Sequence, residues 1–258
     1  MAEQQLLFNQ KIAEGHVQVW QQDNRRWMDF ENDLVQTEII LDRPDYLPLP
    51  LNRAMLAGII FCEQPKQILL AGTGGGATAR YLAQRFPDID GQAVELSDVI
   101  ASVAHEYFEF PNNKKWQLLT DDIKSYVQTS QQFYDVIVLD IAEEKLTPEW
   151  IIDRQFLKQC RARLTAEGYI SINLLVDDEN GFMNYLAAIR DVFDRQTVCL
   201  SMPSYRNIVI LAFNQLPPYI APVDIENRLS TLEEEWGLEL TEFYQQMLKD
   251  NPKGSGVL

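Results

Sequence analysis

Histidine is almost missing from this chain of 258 residues: there are two, His16 and His105, far apart and with no second ligand at metal spacing. That scarcity excludes most imidazole zinc sites and most acyl-transfer triads, and no metal is expected. Cysteine is nearly as rare. Cys62, Cys160 and Cys199 are scattered, odd in number and form no C-x-x-C pair, so buried, reduced thiols in a cytoplasmic protein are expected. No apolar run approaches the roughly 20 residues of a membrane span, and the N-terminus shows no basic-then-apolar leader, so no membrane association is expected. Basic residues are outnumbered, 22 against 38 acidic, for a net charge of −16. A pI near 4.5 repels a phosphate backbone, which removes nucleic acid as a partner. Carboxylates and backbone must carry any chemistry.

What is present is a core. Hydrophobic residues make up 46% of the chain, and from residue 67 to 213 short β-rich apolar runs alternate with longer helical patterns, as in βαβ units with a parallel sheet. Strands are predicted at 67–72, 92–96, 116–121, 134–140 and 169–175. Helices are predicted at 79–86, 98–108, 122–131, 147–164 and 181–193. Two further strands, 197–202 and 206–213, are separated only by Pro203, Ser204 and Tyr205. So short a gap cannot hold a crossover, and they should pair as an antiparallel hairpin. The expected fold class is therefore α/β, a mostly parallel seven-stranded sheet with an antiparallel last strand. That is the Rossmann-like arrangement of adenosylmethionine-dependent methyltransferases rather than of nicotinamide dehydrogenases. Before it, apolar runs at 17–20, 26–30 and 35–41, with turn chemistry at Asp23-Asn24, predict a small antiparallel β-unit. A helix is expected at 52–61. After residue 213 come prolines and two acidic helical stretches, 225–236 and 240–248; Glu233-Glu234-Glu235 reads as a solvated helix face, and residues 253–256 should fray. The expected division is 1–64, an N-terminal β-unit with a linker helix, 65–215, the α/β core, and 216–258, an acidic helical tail.

The strongest local signal is a strand running into glycines: Ile68-Leu69-Leu70-Ala71-Gly72-Thr73-Gly74-Gly75-Gly76. Glycine permits φ > 0 and lets backbone N–H groups approach a ligand. The spacing G-x-G-x-G differs from the dinucleotide fingerprint, and such a loop suits the methionine-derived end of a nucleoside sulfonium; a tight structural turn is the alternative. Glu95, about twenty residues on, ends the second strand, where an acid can accept both ribose hydroxyls; it could instead favour the start of the next helix. Asp121 and Asp122 close the third strand, where a carboxylate could accept from an adenine amino group or cap the next helix. The apolar run Tyr134-Asp135-Val136-Ile137-Val138-Leu139 empties into Asp140, with Glu143 and Glu144 following. Strand ends of this kind face the ligand crevice, so Asp140 is placed as a general base or cation-binding carboxylate, or as a cap. His105, within a helix, reads as a surface or packing residue.

These residues resemble the spermidine synthases (polyamine aminopropyltransferases), in particular a shorter bacterial spermidine-synthase-like branch, over roughly residues 15–213. The landmarks are Asp33-Leu34-Val35-Gln36-Thr37, the loop from Gly72, Val94-Glu95-Leu96, Asp122 with Tyr126, 134–140, and Tyr205-Arg206-Asn207-Ile208-Val209. The resemblance implies a homodimer that moves an aminopropyl group from decarboxylated S-adenosylmethionine to putrescine in polyamine biosynthesis; the departures below widen the acceptor to a small-molecule amine. By matching positions, Gln36 and Glu95 would contact the ribose, Asp122 the adenine, and Asp140 the attacking amine, with Glu143 as an amine-binding carboxylate. The sequence also departs from the family. Gly75 stands where members carry an aspartate for the aminopropyl ammonium. Asn52-Arg53-Ala54 stands for Tyr-His-Glu, and Asp140-Ile141-Ala142-Glu143-Glu144 for Asp-Ser-Ser-Asp-Pro. Gly75 and Arg53 together would suit the carboxylate of ordinary S-adenosylmethionine, so methyl transfer is an alternative. A non-catalytic nucleoside-binding or interaction protein that has lost the polyamine site is another.

Overall fold

The computed structural model describes residues 3–12, 15–31, 34–142 and 146–258. Seven strands form one mixed sheet: β5 (Gln67–Ala71), β6 (Asp90–Glu95), β7 (Trp116–Thr120), β8 (Tyr134–Leu139), β9 (Leu164–Leu174), β10 (Thr197–Ser201) and β11 (Ile208–Phe213). Their order is β10-β11-β9-β8-β5-β6-β7. Pairs β6–β7 and β8–β9 are parallel, while β11 runs antiparallel to both β9 and β10. The predicted hairpin is there, and it explains the order: the last strand in the chain returns between β9 and β10, which leaves β10 at the edge. Five helices belong to this block: α2 (Ala77–Arg85), α3 (Asp98–Tyr107), α4 (Ile123–Thr129), α5 (Arg154–Ala162) and α6 (Glu179–Val192). The helix expected over 147–164 is broken. A 3₁₀ turn over Glu149–Ile152 stops at Asp153, whose carboxylate accepts from Gln155 N and Phe156 N and so starts α5.

The chain divides into two compact units, Met1–Asn52 with Leu70–Ile123, and Arg53–Leu69 with Lys124–Leu258. In the first, an antiparallel meander is made of β1 (Gln5–Ile12), β2 (Gly15–Gln22), β3 (Arg25–Asp29) and β4 (Thr37–Ile40). Asp23 and Asn24 form the two-residue turn, with Asp23 at φ 51°. β1 was not expected, because a register shift between Leu6 and Phe8 spoils its alternation. Val17, Val19, Met28 and Ile39 bury one face of the meander against Ile100, Val103 and Phe108 of the α3 region, each side chain stabilising by about 1.5–3 kcal/mol. Arg80, on α2, is fully buried and donates to three carbonyls, Pro44 O at 2.9 Å, Phe108 O at 2.8 Å and Glu38 O at 3.2 Å.

The second unit opens with α1 (Pro50–Met55) and a 3₁₀ turn, Ala57–Ile60, in place of the single helix expected at 52–61. Gly58 permits the close packing: a Cβ there would lie 2.3 Å from the Tyr169 ring. At the amino-terminal end of its strands one carboxylate ties three segments. Asp135 accepts from Lys66 N at 2.8 Å, Gln67 N at 3.0 Å and Thr165 Oγ1 at 2.9 Å. The tail forms α7 (Pro222–Trp236) and α8 (Leu240–Asp250). Glu234 and Glu235 are exposed, while Glu233 accepts from Thr241 N at 2.7 Å. The Asn251 amide mimics a neighbouring strand on the edge of β10, accepting from Cys199 N at 2.9 Å and donating to Cys199 O at 2.7 Å. In the segment expected to fray, Gly254 N donates to Leu258 O at 3.1 Å, and beyond it Val257 N donates to Thr197 O at 3.3 Å.

Candidate functional site

In the first unit, the apolar run of β5 is stopped by glycines at φ 75°, 49° and 73° for Gly72, Gly74 and Gly76, a region that a side chain strongly disfavours. Gly72 N donates to Val94 O at 3.1 Å, Gly76 N to Thr73 O at 2.8 Å, and Gly76 then starts α2. Gln36 lies beside this loop, its carbonyl oxygen 3.7 Å from where a Gly74 Cβ would stand. Its exposed side chain donates to Leu34 O at 3.4 Å. Gly75 has no space for a side chain: a Cβ would sit 2.3 Å from Thr37 Cγ2 and 2.9 Å from Thr37 Oγ1. Gly75 is thus packed against β4, with no room for the aspartate that the resemblance would place here. The buried Thr37 hydroxyl has no hydrogen-bond partner among the described residues.

Glu95 is 7% exposed and organises this loop. Its Oε2 accepts from Thr73 N at 3.0 Å and Thr73 Oγ1 at 3.1 Å, and its Oε1 from Ser97 N at 3.1 Å. Ser97 in turn caps α3 through Ile100 N. The strand-end acid thus serves the helix start and the glycine loop together. Asp121 N donates to Glu95 O at 3.0 Å, and the exposed Asp121 accepts from Asp122 N at 2.8 Å. So Gln36, the glycine loop, Glu95 and Asp121 gather at the carboxyl ends of β5, β6 and β7, with Asp122 one residue beyond. Leu96, next to Glu95, is 72% exposed. Sequence reasoning placed Leu96 in the Val94-Glu95-Leu96 landmark but gave it no role of its own.

In the second unit, Asp140 ends β8 and is half-buried. Asn173 Nδ2 donates to its Oδ1 at 2.9 Å, and Asn207 Nδ2 donates to Asn173 Oδ1 at 2.9 Å. Burial pushes the Asp140 carboxyl above the ordinary carboxylate range, and the Asn173 bond partly offsets this by favouring the anion. Thr147 brings the chain after Asp140 back to β9, donating through Oγ1 to Asn173 O at 3.1 Å. Glu143 lies outside the described residues. Arg53 does not present a bare charge: its Nε donates to both Glu239 oxygens at 2.9 Å, the two side chains being 13% and 28% exposed. Neither asparagine was singled out for this contact by sequence, and Glu239 was not linked to Arg53.

The three cysteines are free and buried, and burial pushes Cys62 up to about 12 and Cys199 up to about 11, so their thiols are poor nucleophiles. His105 is exposed, its ring edge-on to Phe110 at 5.0 Å. Among the described residues no group of three or more His, Cys, Asp or Glu is placed to hold a metal ion, and no helix is long and apolar enough to cross a membrane.

A glycine loop after the first strand of a β10-β11-β9-β8-β5-β6-β7 sheet, with acids on the next two strand ends, defines a methyltransferase-type fold. Residues 51–214 match the family described as the spermine/spermidine synthase domain, and the chain belongs to that family. A polyamine aminopropyltransferase of Chromobacterium violaceum is 25% identical over 247 residues, covering 95% of this chain and 94% of its own. Two solved structures share the fold. A spermidine synthase in complex with the transition state analogue AdoDATO has a TM-score of 0.72 at 15% identity, covering 94% of this chain and 85% of its own. Human methyltransferase-like protein 13 in complex with SAH has a TM-score of 0.68 at 22% identity, covering 73% of this chain and 93% of its own.

Proposed function

We propose that this protein transfers an aminopropyl group from decarboxylated S-adenosylmethionine to a small amine. The observation that carries the reading is Asp140, a strand-end carboxylate whose surroundings raise its proton affinity while Asn173 holds it. An amine nitrogen attacks the methylene carbon beside the sulfonium. The C–N bond forms as the C–S bond breaks, sulfur keeps the electron pair as methylthioadenosine, and the nitrogen proton passes to Asp140. A base whose pKa lies nearer neutrality suits that transfer, and holding the reactants in line supplies much of the acceleration.

The residues of the first unit fit the nucleoside. Leu96 offers a face to adenine beside Asp121 and Asp122, Gln36 flanks the loop, and Gly72, Gly74, Gly75 and Gly76 bring backbone to the sulfonium end. Glu95 offers about four acceptor positions as an anion, three of them filled. A bidentate ribose contact needs two, so one of Thr73's bonds yields on binding, and the rotatable hydroxyl is the group that can turn away. Methyl transfer loses part of its support, because the charge of Arg53 is already matched by Glu239. Glu143 as amine-binding carboxylate, a homodimer and a cytoplasmic location complete the proposal, the last two open to sedimentation velocity and cell fractionation. The decisive assay incubates pure protein with decarboxylated S-adenosylmethionine and a panel of di- and polyamines and measures methylthioadenosine. Release is expected with at least one acceptor; silence across a panel on which a known enzyme works would overturn the reading.

A further inference from the structure

The register of the sheet brings two asparagines into line with Asp140. Parallel pairing sets Leu139 opposite Ile172, which makes Asp140 and Asn173 the next pair along β8 and β9. Antiparallel pairing sets Ile208 opposite Leu174, so Asn207 lies just ahead of the first paired residue of β11. Asn207 is itself fixed where the hairpin closes, its carbonyl accepting from Met202 N at 3.1 Å. The resulting chain runs Asn207 Nδ2 to Asn173 Oδ1 and Asn173 Nδ2 to Asp140 Oδ1, each step 2.9 Å.

The direction of this chain follows from one end. An ionised carboxylate only accepts, so Asn173 must turn its amino group toward Asp140. Its carbonyl oxygen then faces Asn207, which must answer with its own amino group. Both amides are thereby locked against flipping, and Asn173, 6% exposed, has few alternative rotamers. Oδ1 of Asp140 is occupied, while Oδ2 takes no hydrogen bond among the described residues.

We propose that Asn173 and Asn207 are positioning residues that fix the Asp140 carboxylate and reserve Oδ2 as its proton-accepting oxygen. The proposal rests on the aminopropyl-transfer reading for its kinetic consequence, but the alignment of the carboxylate can be tested without turnover. Neither asparagine touches the reacting atoms; Asn173 acts on Asp140 and Asn207 acts on Asn173. The expected effects are therefore graded. Asn173→Leu, close in volume and without polar atoms, lowers kcat about 30–100-fold with little change in either KM, since a misplaced catalytic group costs on that scale. Asn207→Ala removes only the outer bond and lowers kcat about 3–10-fold, the direction of a weakened hydrogen-bond network.

The test combines a double-mutant cycle with a spectroscopic titration. In an Asp140→Asn background, Asn173→Leu should cost no further activity, because the group it aims is gone. An equal loss in both backgrounds, or a change confined to KM, would overturn the proposal. Independently, the Asp140 ¹³Cγ resonance of the substrate-free protein should titrate at higher pH in Asn173→Leu than in the parent. The charge-favouring bond has then been lost while burial remains, and these two are the influences on Asp140 among the described residues. Should Asn173→Leu fail to fold, the half-buried Asn207→Ala serves the same titration, with a smaller shift in the same direction. An unmoved midpoint in a folded variant refutes the positioning role. A parent protein inactive on every amine refutes the functional reading alone, since the titration still decides the alignment.

Discussion

Replacing Arg80 by methionine tests how the first unit is assembled. Arg80 is 0% exposed, and its Nε, Nη1 and Nη2 each donate to a different carbonyl, those of Pro44, Phe108 and Glu38. Burial pushes the guanidinium down to about 10, so it still carries its charge at neutral pH. Exchanging a buried ion pair for apolar residues is often neutral, because both charges leave together. Here the partners are backbone carbonyls and remain behind. Each buried acceptor left unsatisfied costs about 1–3 kcal/mol, offset by the several kcal/mol recovered when the charge is no longer buried. A net loss of about 2–4 kcal/mol is expected for Arg80→Met, with roughly half of that for Arg80→Lys, whose single nitrogen cannot reach three diverging carbonyls. Against a typical total of about 5–15 kcal/mol this is a large fraction. Urea unfolding followed by tryptophan fluorescence would show it as a lower midpoint at unchanged slope. An Arg80→Met protein within about 0.5 kcal/mol of the parent, the usual effect of a surface change, would refute the reasoning.

Other predictions concern the two ends of the chemistry and the sheet edge. Asp140→Asn should lower kcat by about 10²–10⁴-fold, the usual contribution of a positioned base. In the parent, the acid limb of kcat/KM should lie above the ordinary carboxylate range, since burial raises this group and the base works only when deprotonated; a limb at the unperturbed value would argue against the assignment. The same raised pKa means that ionised Asp140 costs stability, a cost absent below the unfolded-state value and complete above the folded one, so Asp140→Asn should melt higher than the parent at neutral pH. Gly75→Asp should weaken methylthioadenosine binding, measured by calorimetry, by about tenfold or more, because its Cβ meets Thr37 Cγ2 at 2.3 Å; Thr37→Gly in the same chain should restore part of the loss. Asn251→Ala leaves Cys199 N and Cys199 O without partners and should cost about 2–4 kcal/mol, seen as faster amide exchange confined at first to β10.

Much of this molecule could be read from its residues because the relevant signals are local. The strands at the centre are nearly continuous apolar runs, as sheets covered on both faces require, and the three-residue gap at Pro203 already forced the antiparallel turn. Gly72 and Glu95 announced themselves as breaks at strand ends. What escaped depends on partners distant in sequence. Arg80 sits in an ordinary helical pattern, where an arginine usually points to water; its carbonyls come from β4, the segment after it at Pro44, and the end of α3. Asn173 meets Asp140, and Asn207 meets Asn173, through the registers of β8, β9 and β11, which no local pattern specifies. β1 failed for a local reason, its bulge, and the helix expected over 147–164 ignored a cap that Asp153 did announce. The pairing of Arg53 with Glu239 spans 186 positions and converts an apparent positive intrusion into a matched pair.

The Asp135 clasp has a consequence for how this protein tolerates change. It ties the starts of β5, β8 and β9, while Asp140, Asn173 and Asn207 stand where strands of the same unit finish or begin at the other extremity. Inheritance of the fold and inheritance of the chemistry are thus written at opposite tips of the same strands. On the aminopropyl-transfer reading, substitutions at Asp135 should lower the folded fraction more than the turnover of each folded molecule, so abundance and activity can vary along separate axes.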